Sequence, residues 1–449
     1  MPDADAKRTA MLRAYGWLFL ASGAVFLVRP ALLTEALGML AAHLPGARPP
    51  AGAAPSLWLG LTGSMMAMIS LLAFALARDP GQAIAWDALL LSKGCSTLLF
   101  ALFALTERNA VFLLGSAVDG PIFLHLLYLR VRADERCGEV AADPWRSRFA
   151  RLTPCGYEVW FIKLNDPRSR DALWLRYALR RTPEKAEGSC WYVLFDAENR
   201  RLEQGRWEGA LAPAAAGELC RIGRSVLRRD GARAAGPDAS WDIAWEPGAP
   251  PPFSFVPDIL YRLGVAGTLY GTPLPSGKFR GEACIAGRKF ALADAVGGVG
   301  HLWGRRMGDN WRWAHAVFPA EAAVFEILSA QGKAGGLRTP RWTAAHLWYQ
   351  GKHYRSAGLC RGFFNSTAEE GRGWTFSADF ADFRVEGECC CAPDMVAALE
   401  YADVDGRRLV CRNSKTGSLR LSIIGRDGRT LGRLATNDTA AVETVAGAI

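Results

Sequence analysis

The stretch Gly297 to Phe318 reads Gly-Gly-Val-Gly-His-Leu-Trp-Gly-Arg-Arg-Met-Gly-Asp-Asn-Trp-Arg-Trp-Ala-His-Ala-Val-Phe and gathers most of the side chains in this chain that could do chemistry. Period-two spacing puts His301, Trp303 and Arg305 on one face of a first strand. It puts Trp311, Trp313 and His315 on one face of a second, with a turn near Met307 to Asn310. If both faces point into a barrel, three indoles and two imidazoles wall a cavity for a large apolar ligand. Indole faces would stabilise a developing carbocation by cation–π attraction. Asp309, His301 or His315 could act as general acid toward a double bond. The candidate catalytic residues are therefore Asp309, His301 and His315, and the candidate ligand-binding residues Trp303, Arg305, Trp311 and Trp313. The competing reading is structural: Gly308-Asp309-Asn310 is an ordinary turn sequence, and tryptophans in a sheet are core.

Other chemistries lack their residues. No phosphate-binding loop or dinucleotide fingerprint occurs. Cys389, Cys390 and Cys391 are contiguous rather than zinc-spaced, and no histidine pair has ligand spacing, so neither a metal nor a cofactor is expected. Serine and cysteine nucleophiles have no local signature. Lys163 and Arg176 sit in aromatic strands, either as binders of an anionic head group or as members of ion pairs.

Most of the elements that must position these groups are strands. From Gly156 onward about fifteen short period-two stretches are separated by Gly-rich turns, too many for one small barrel. Two tandem β-barrels or sandwiches are expected, over 156–335 and 336–449, with a boundary near Gly332 to Pro340. Ala214 to Arg229 is predicted as the one helix among them, and residues 134–155 as a linker.

Residues 1–133 have a different character. Apolar stretches run from Met11 to Val28, Leu57 to Ala77, Ala88 to Leu105 and Val111 to Leu127, which predicts a four-helix transmembrane domain. Ala31 to Leu44 reads as an interfacial helix. Lys and Arg cluster before the first span and after the fourth, placing both ends in the cytoplasm of a multi-pass inner-membrane protein. Inside the spans, Lys93 and Asp119 are the intramembrane polar candidates, as a proton or ligand site near His125 or as a structural ion pair.

The composition bounds the alternatives. The chain has 449 residues, half of them apolar, a mean hydropathy of +0.04 and a net charge of +9. That balance suits a membrane part joined to a soluble part. The positive excess is spread along the chain, so nucleic acid is not an expected partner. Eleven cysteines, an odd number, argue for reduced thiols in a cytosolic compartment.

Glu158 to Leu179, the strand pair Gly277 to Phe290, the His-x-Trp-Gly and Trp-x-Trp-x-His stretch, and Tyr401 to Ser414 together resemble the lipocalin-like superfamily of carotenoid 1,2-hydratases, tocopherol cyclases and related proteins. The resemblance covers about residues 156 to 425 and leaves out the four spans. It implies two calycin-type barrels and an isoprenoid or lipid-like ligand, with His301, Trp303, Asp309, Trp311 and Trp313 at the active-site wall. The hydratase pattern places its acidic residue within a strand, whereas Asp309 stands beside a turn. The expected function is a membrane-anchored, cofactor-independent hydratase, cyclase or isomerase, or else a non-catalytic carrier or sensor of the same ligand. The expected partners are the lipid bilayer and the apolar small molecule.

Overall fold

The computed structural model of the chain describes residues 2–28, 35, 39, 42–43, 55–78, 82–137, 143–152, 154–256, 267–334, 337–357 and 361–448. These form two compact units, residues 1–137 and 138–449. The interfacial helix expected at Ala31 to Leu44 lies largely outside the described residues.

The first unit consists of helices Pro2–Val28, Pro55–Arg78, Ala83–Thr106 and Val111–Cys137. Among the described residues, two helical segments, Ala85–Thr106 and Val111–Arg130, are long and apolar enough to cross a membrane. The expectation of four spans is not supported. Within the helix Pro55–Arg78, the shorter segment Thr62–Arg78 is apolar as well. The helix Pro2–Val28 carries Lys7, Arg8 and Arg13 in its first half, which shortens its uncharged run. The unit has an apolar core around Leu12, Phe19, Leu76, Trp86 and Leu89 and also an apolar exterior. Leu71, Leu91, Leu98, Leu105 and Leu124 face outward, while Lys93 is buried with its Nζ 2.9 Å from Asp119 Oδ1 and over the Phe19 ring. His125 Nδ1 lies 2.6 Å from the Tyr15 hydroxyl.

The second unit is antiparallel β-structure in two large sheets. In the twelve-stranded sheet, Gly156–Asn165 lies between Ala172–Arg181 and Arg288–Gly304, and the latter pairs onward with Thr268–Ile285. Its terminal strands, Arg201–Gly209 and Leu211–Ala212, are almost consecutive in sequence, so the sheet curls into a nearly closed barrel. The predicted helix over Ala214 to Arg229 is instead a hairpin of Glu218–Ile222 and Ser225–Arg228. Gly217 and Gly223 take positive φ of 83° and 56°, a conformation that breaks a helix and makes a tight turn.

The ten-stranded sheet begins at Asn310–Phe318 and pairs it with Ala323–Gln331 and Thr430–Ala448. The change of sheet therefore falls at residues 305–309, not near Gly332 to Pro340, where a small hairpin of Lys333–Ala334 and Leu337–Arg338 stands; Gly335 and Gly336 lie outside the described residues. For the same reason the two strands of the Gly297 to Phe318 stretch do not pair with each other. Arg288–Gly304 already has partners on both edges, which leaves it no free ladder. Part of the expected linker is also folded: Trp145, Phe149 and Leu152 pack into the core of the first sheet.

Every residue of Gly156–Asn165 is buried, because the strand has core on both faces. Trp160, Ile162 and Leu164 point into the first barrel, and Tyr157, Val159 and Phe161 into a layer between the two sheets. Trp313, Ala441 and Val445 reach the same layer from the second sheet, whose own core holds Ala314, Phe325, Ile327 and Val442. Asn165 Nδ2 donates to the Lys415 carbonyl across the layer at 2.8 Å.

Candidate functional site

A cavity of about 140 Å³ opens in the layer between the sheets. Aromatic side chains wall it: Tyr157, Phe161 and Trp174 from the first sheet, Trp311, Trp313 and Tyr401 from the second. Tyr270 closes one side, and Arg176, Thr268 and Glu443 supply polar atoms. A glycine is required at position 300, since a Cβ there would come within 2.2 Å of the Phe161 ring that forms part of the wall.

Behind Tyr270 and Trp313 lies a group of buried ionisable side chains. Glu326 is fully buried and accepts hydrogen bonds from the Tyr270 hydroxyl, from Trp313 Nε1 at 2.8 Å and from Thr272 Oγ1 at 2.9 Å. Burial pushes its carboxyl up to about 7, against the lowering effect of these three bonds and of the Lys163 charge. Lys163 is brought down to about 7 by burial and by the like charge of Lys415, with Glu326 acting in the opposite direction. His315 pairs in register with Glu326, and burial and the Lys163 charge hold it well below the ordinary histidine value. A neutral ring whose Nε2–H donates to the Pro275 carbonyl at 2.8 Å leaves Nδ1 as a lone pair, and that atom has no partner. Lys163, Thr272, His315 and Glu326 border a void of about 10 Å³, roughly the size of one water. Lys415 Nζ pairs with Glu443 Oε1 at 2.7 Å and lies 5.0 Å above the Trp313 ring.

The residues singled out in the sequence separate into four places. Trp311 and Trp313 line the cavity, and His315 borders the adjoining void. His301 and Trp303 share a face, as the spacing predicts, but that face looks into the first barrel. There His301 stacks on Trp160 with centroids 4.4 Å apart and its Nε2 lies 2.9 Å from Glu158 Oε1. Asp309 sits in the crossover between sheets, paired with Arg407 and 3.7 Å from Arg306, and Arg305 opens the same crossover; neither Asp309 nor Arg305 is on the cavity wall. Lys93 and Asp119 pair within the helical unit.

Sequence reasoning missed Glu326, Tyr270, Trp174 and Glu443. A signal existed for Glu326: it is the one charged residue of Ala-Val-Phe-Glu-Ile-Leu-Ser-Ala-Gln, a strand joined by a short turn to the one carrying His315. Tyr270 and Trp174 carry no such mark, because their positions depend on which faces of two remote strands meet.

No family model matches the chain. It is similar to the uncharacterized proteins MT0513 and Rv0493c of two Mycobacterium tuberculosis strains, CDC 1551 / Oshkosh and ATCC 25618 / H37Rv, each 23% identical over 303 residues, 67% of this chain and 89% of the relative. Among solved structures it is similar to a protein provisionally named AttH (NE1406) from Nitrosomonas europaea, at 13% identity over 66% of this chain and 93% of that one, with a TM-score of 0.42. Kievitone hydratase from Nectria haematococca is similar at 11% identity over 68% of this chain and 91% of that one, with a TM-score of 0.43.

Proposed function

We propose that the chain binds an apolar, isoprenoid or lipid-like molecule in the cavity between its sheets and protonates a double bond of it, starting a hydration, cyclisation or isomerisation without a cofactor. The observation that carries this reading is the contact of Glu326 with Tyr270 and Trp313, two residues of the cavity wall. A carboxyl with a value near 7 holds a proton about half the time at neutrality, the condition a general acid needs. When Glu326 is protonated, its O–H donates to the Tyr270 oxygen and releases the phenol O–H toward the ligand. Proton transfer from Tyr270 to one alkene carbon, with Glu326 reprotonating Tyr270, leaves a carbocation facing Trp311 and Trp313. In a hydration, a water oxygen bonds to the second carbon and its surplus proton returns to the Glu326 carboxylate, so atoms and charge balance. The helical unit, with its apolar exterior and buried Lys93–Asp119 pair, would hold the chain in a membrane, and the Lys/Arg distribution would put the β unit on the cytoplasmic side.

A carrier or sensor without chemistry is the second reading. It is favoured by one observation: Glu326 stands behind the cavity wall, with its oxygens already engaged by Tyr270, Thr272 and Trp313. Incubation of the full-length protein with a membrane lipid extract in D2O separates the two. Every acid-initiated route forms a C–H bond from a solvent proton, so catalysis leaves non-exchangeable deuterium in a product, and Glu326→Gln abolishes that label without displacing bound lipid. Lipid that stays bound but is never labelled by the wild type establishes the carrier.

A further inference from the structure

We propose that Arg176 anchors an anionic end of the ligand, which makes that ligand a single-chain amphiphile carrying a carboxylate or phosphate rather than a pure hydrocarbon. The inference rests on the proposed function in taking this cavity as the ligand site. Arg176 belongs to the strand Ala172–Arg181, paired with Phe161 on one side and Trp191 on the other, and faces the layer between the sheets. Its relative exposure is 5%, yet neither Nε nor Nη1 has a hydrogen-bond partner. Two residues earlier on the same face, the buried Trp174 Nε1 is also without one. The Tyr401 and Trp191 rings lie 3.9 Å and 5.1 Å from the guanidinium, which favours the cation but accepts none of its in-plane N–H groups.

The surrounding charges leave Arg176 in surplus. Within the layer Lys163, Arg176 and Lys415 stand against Glu326 and Glu443, and Glu443 is held by Lys415. Nearby, Glu187 is taken by Arg180, and Asp403 by Arg407. A buried cation with unmet donors is costly until an oxyanion reaches it. Arg176 also stands where two cavities meet. It lines the aromatic one and a second of about 150 Å³ whose wall includes Arg180, Ser189 and the exposed Arg206. An apolar chain in the first cavity therefore ends with its head group at Arg176, beside a polar chamber.

The test is equilibrium binding of radiolabelled octanoate, octyl phosphate and octanol to the full-length protein in phosphatidylcholine nanodiscs, with empty discs as background. At least one of the two anions is expected to bind tenfold or more tightly than octanol, and which of them does so assigns the head group as carboxylate or phosphate. Arg176→Gln should bring that ratio to about one and leave octanol affinity within twofold, while Arg176→Lys, which keeps the charge, retains part of the preference. Arg280→Gln, at an exposed position on the wall of neither cavity, should leave the ratio within twofold. Octanol binding as tightly as both anions overturns the anchor while the cavity reading stands, as does an anion preference that survives in Arg176→Gln. Should Arg176→Gln fail to fold, the wild-type ratio decides, and loss of the whole preference in Arg176→Lys counts against a charge-based anchor. Binding of none of the three overturns the ligand site itself.

Discussion

The β unit contains two buried histidine–glutamate arrangements a few strands apart, and they are built for opposite ends. In the first barrel, Glu158 accepts from Ser147 Oγ at 2.7 Å, from the backbone amides of Arg148 and Phe149, and lies against His301, whose other nitrogen meets the Pro144 carbonyl at 2.6 Å. Each polar group is matched, and the Trp160 and Trp303 rings pack on the imidazole. This is a latch that fastens residues 144–149 to the barrel. In the layer between the sheets, Glu326 and His315 are paired directly in register, but His315 Nδ1 is unmatched and both residues border a water-sized void beside the large cavity. In the proposed function, the same residue types lock a fold where their hydrogen bonds are complete and stay available for proton transfer where they are not.

Breaking the latch should give the largest effect. Glu158→Ala strands two backbone amides, a hydroxyl and an imidazole in the barrel core, and removing one partner of such a buried group costs about 3–5 kcal/mol. The urea midpoint is expected to fall accordingly. An unchanged midpoint would mean that the first arrangement is no more structural than the second.

The pH dependence of stability should sharpen the contrast next. Because the folded-state value of Glu326 is raised from 4.5 to about 7, the folded chain binds a proton more tightly than the unfolded one. Its favourable contribution is complete below pH 4.5 and is lost as pH rises toward 7. Lys163, lowered from 10.5 to about 7, has the opposite slope: its contribution is full above pH 10.5 and is lost as pH falls toward 7. Urea unfolding from pH 4 to 10 should show a minimum near neutrality from this pair. Glu326→Gln should remove the acid limb, and Lys163→Met the alkaline limb, with the remaining limb shifted by the loss of its partner's charge.

A smaller effect separates the tryptophans. Trp311→Ala should weaken octyl-chain binding by about tenfold, the loss expected for one aromatic contact of about 1.4 kcal/mol, with little change in stability. Trp303→Phe should leave affinity unchanged and lower the urea midpoint slightly, since Trp303 belongs to the barrel core.

These tests also mark where the sequence was readable. Period two places Trp303 with His301 and Trp311 with His315 on common faces, and the chain shows both pairings of faces. It does not reveal that the two faces look into different layers, because that depends on which ladder each strand joins, and the partners of Gly297–Gly304 begin near residues 156 and 268. Arg176 and Lys163 attract notice in the sequence as charges in aromatic strands, but their burial follows from the second sheet closing over the first. The Ala214 to Arg229 segment misleads because its composition suits a helix, while two glycines at positive φ decide the hairpin. Four apolar stretches read alike in sequence, and among the described residues two helical segments, Ala85–Thr106 and Val111–Arg130, have the length and polarity that a crossing requires.

The smallest effect belongs to the acid nominated first by sequence. Asp309 is one of three carboxylates gathered on Arg407, with Asp403 and Asp405, and has Arg306 nearby. Asp309→Asn removes a single member of a partly exposed cluster, so a loss of about 1 kcal/mol or less is expected. Asp309 is not on the cavity wall, and label uptake from D2O should continue at the wild-type rate. If Asp309→Asn stays folded and stops that uptake while Glu326→Gln does not, the acid lies at the crossover between the sheets. The half-satisfied pair in the layer would then be a packing compromise, and incomplete hydrogen bonding around His315 and Glu326 would no longer mark a place where protons move.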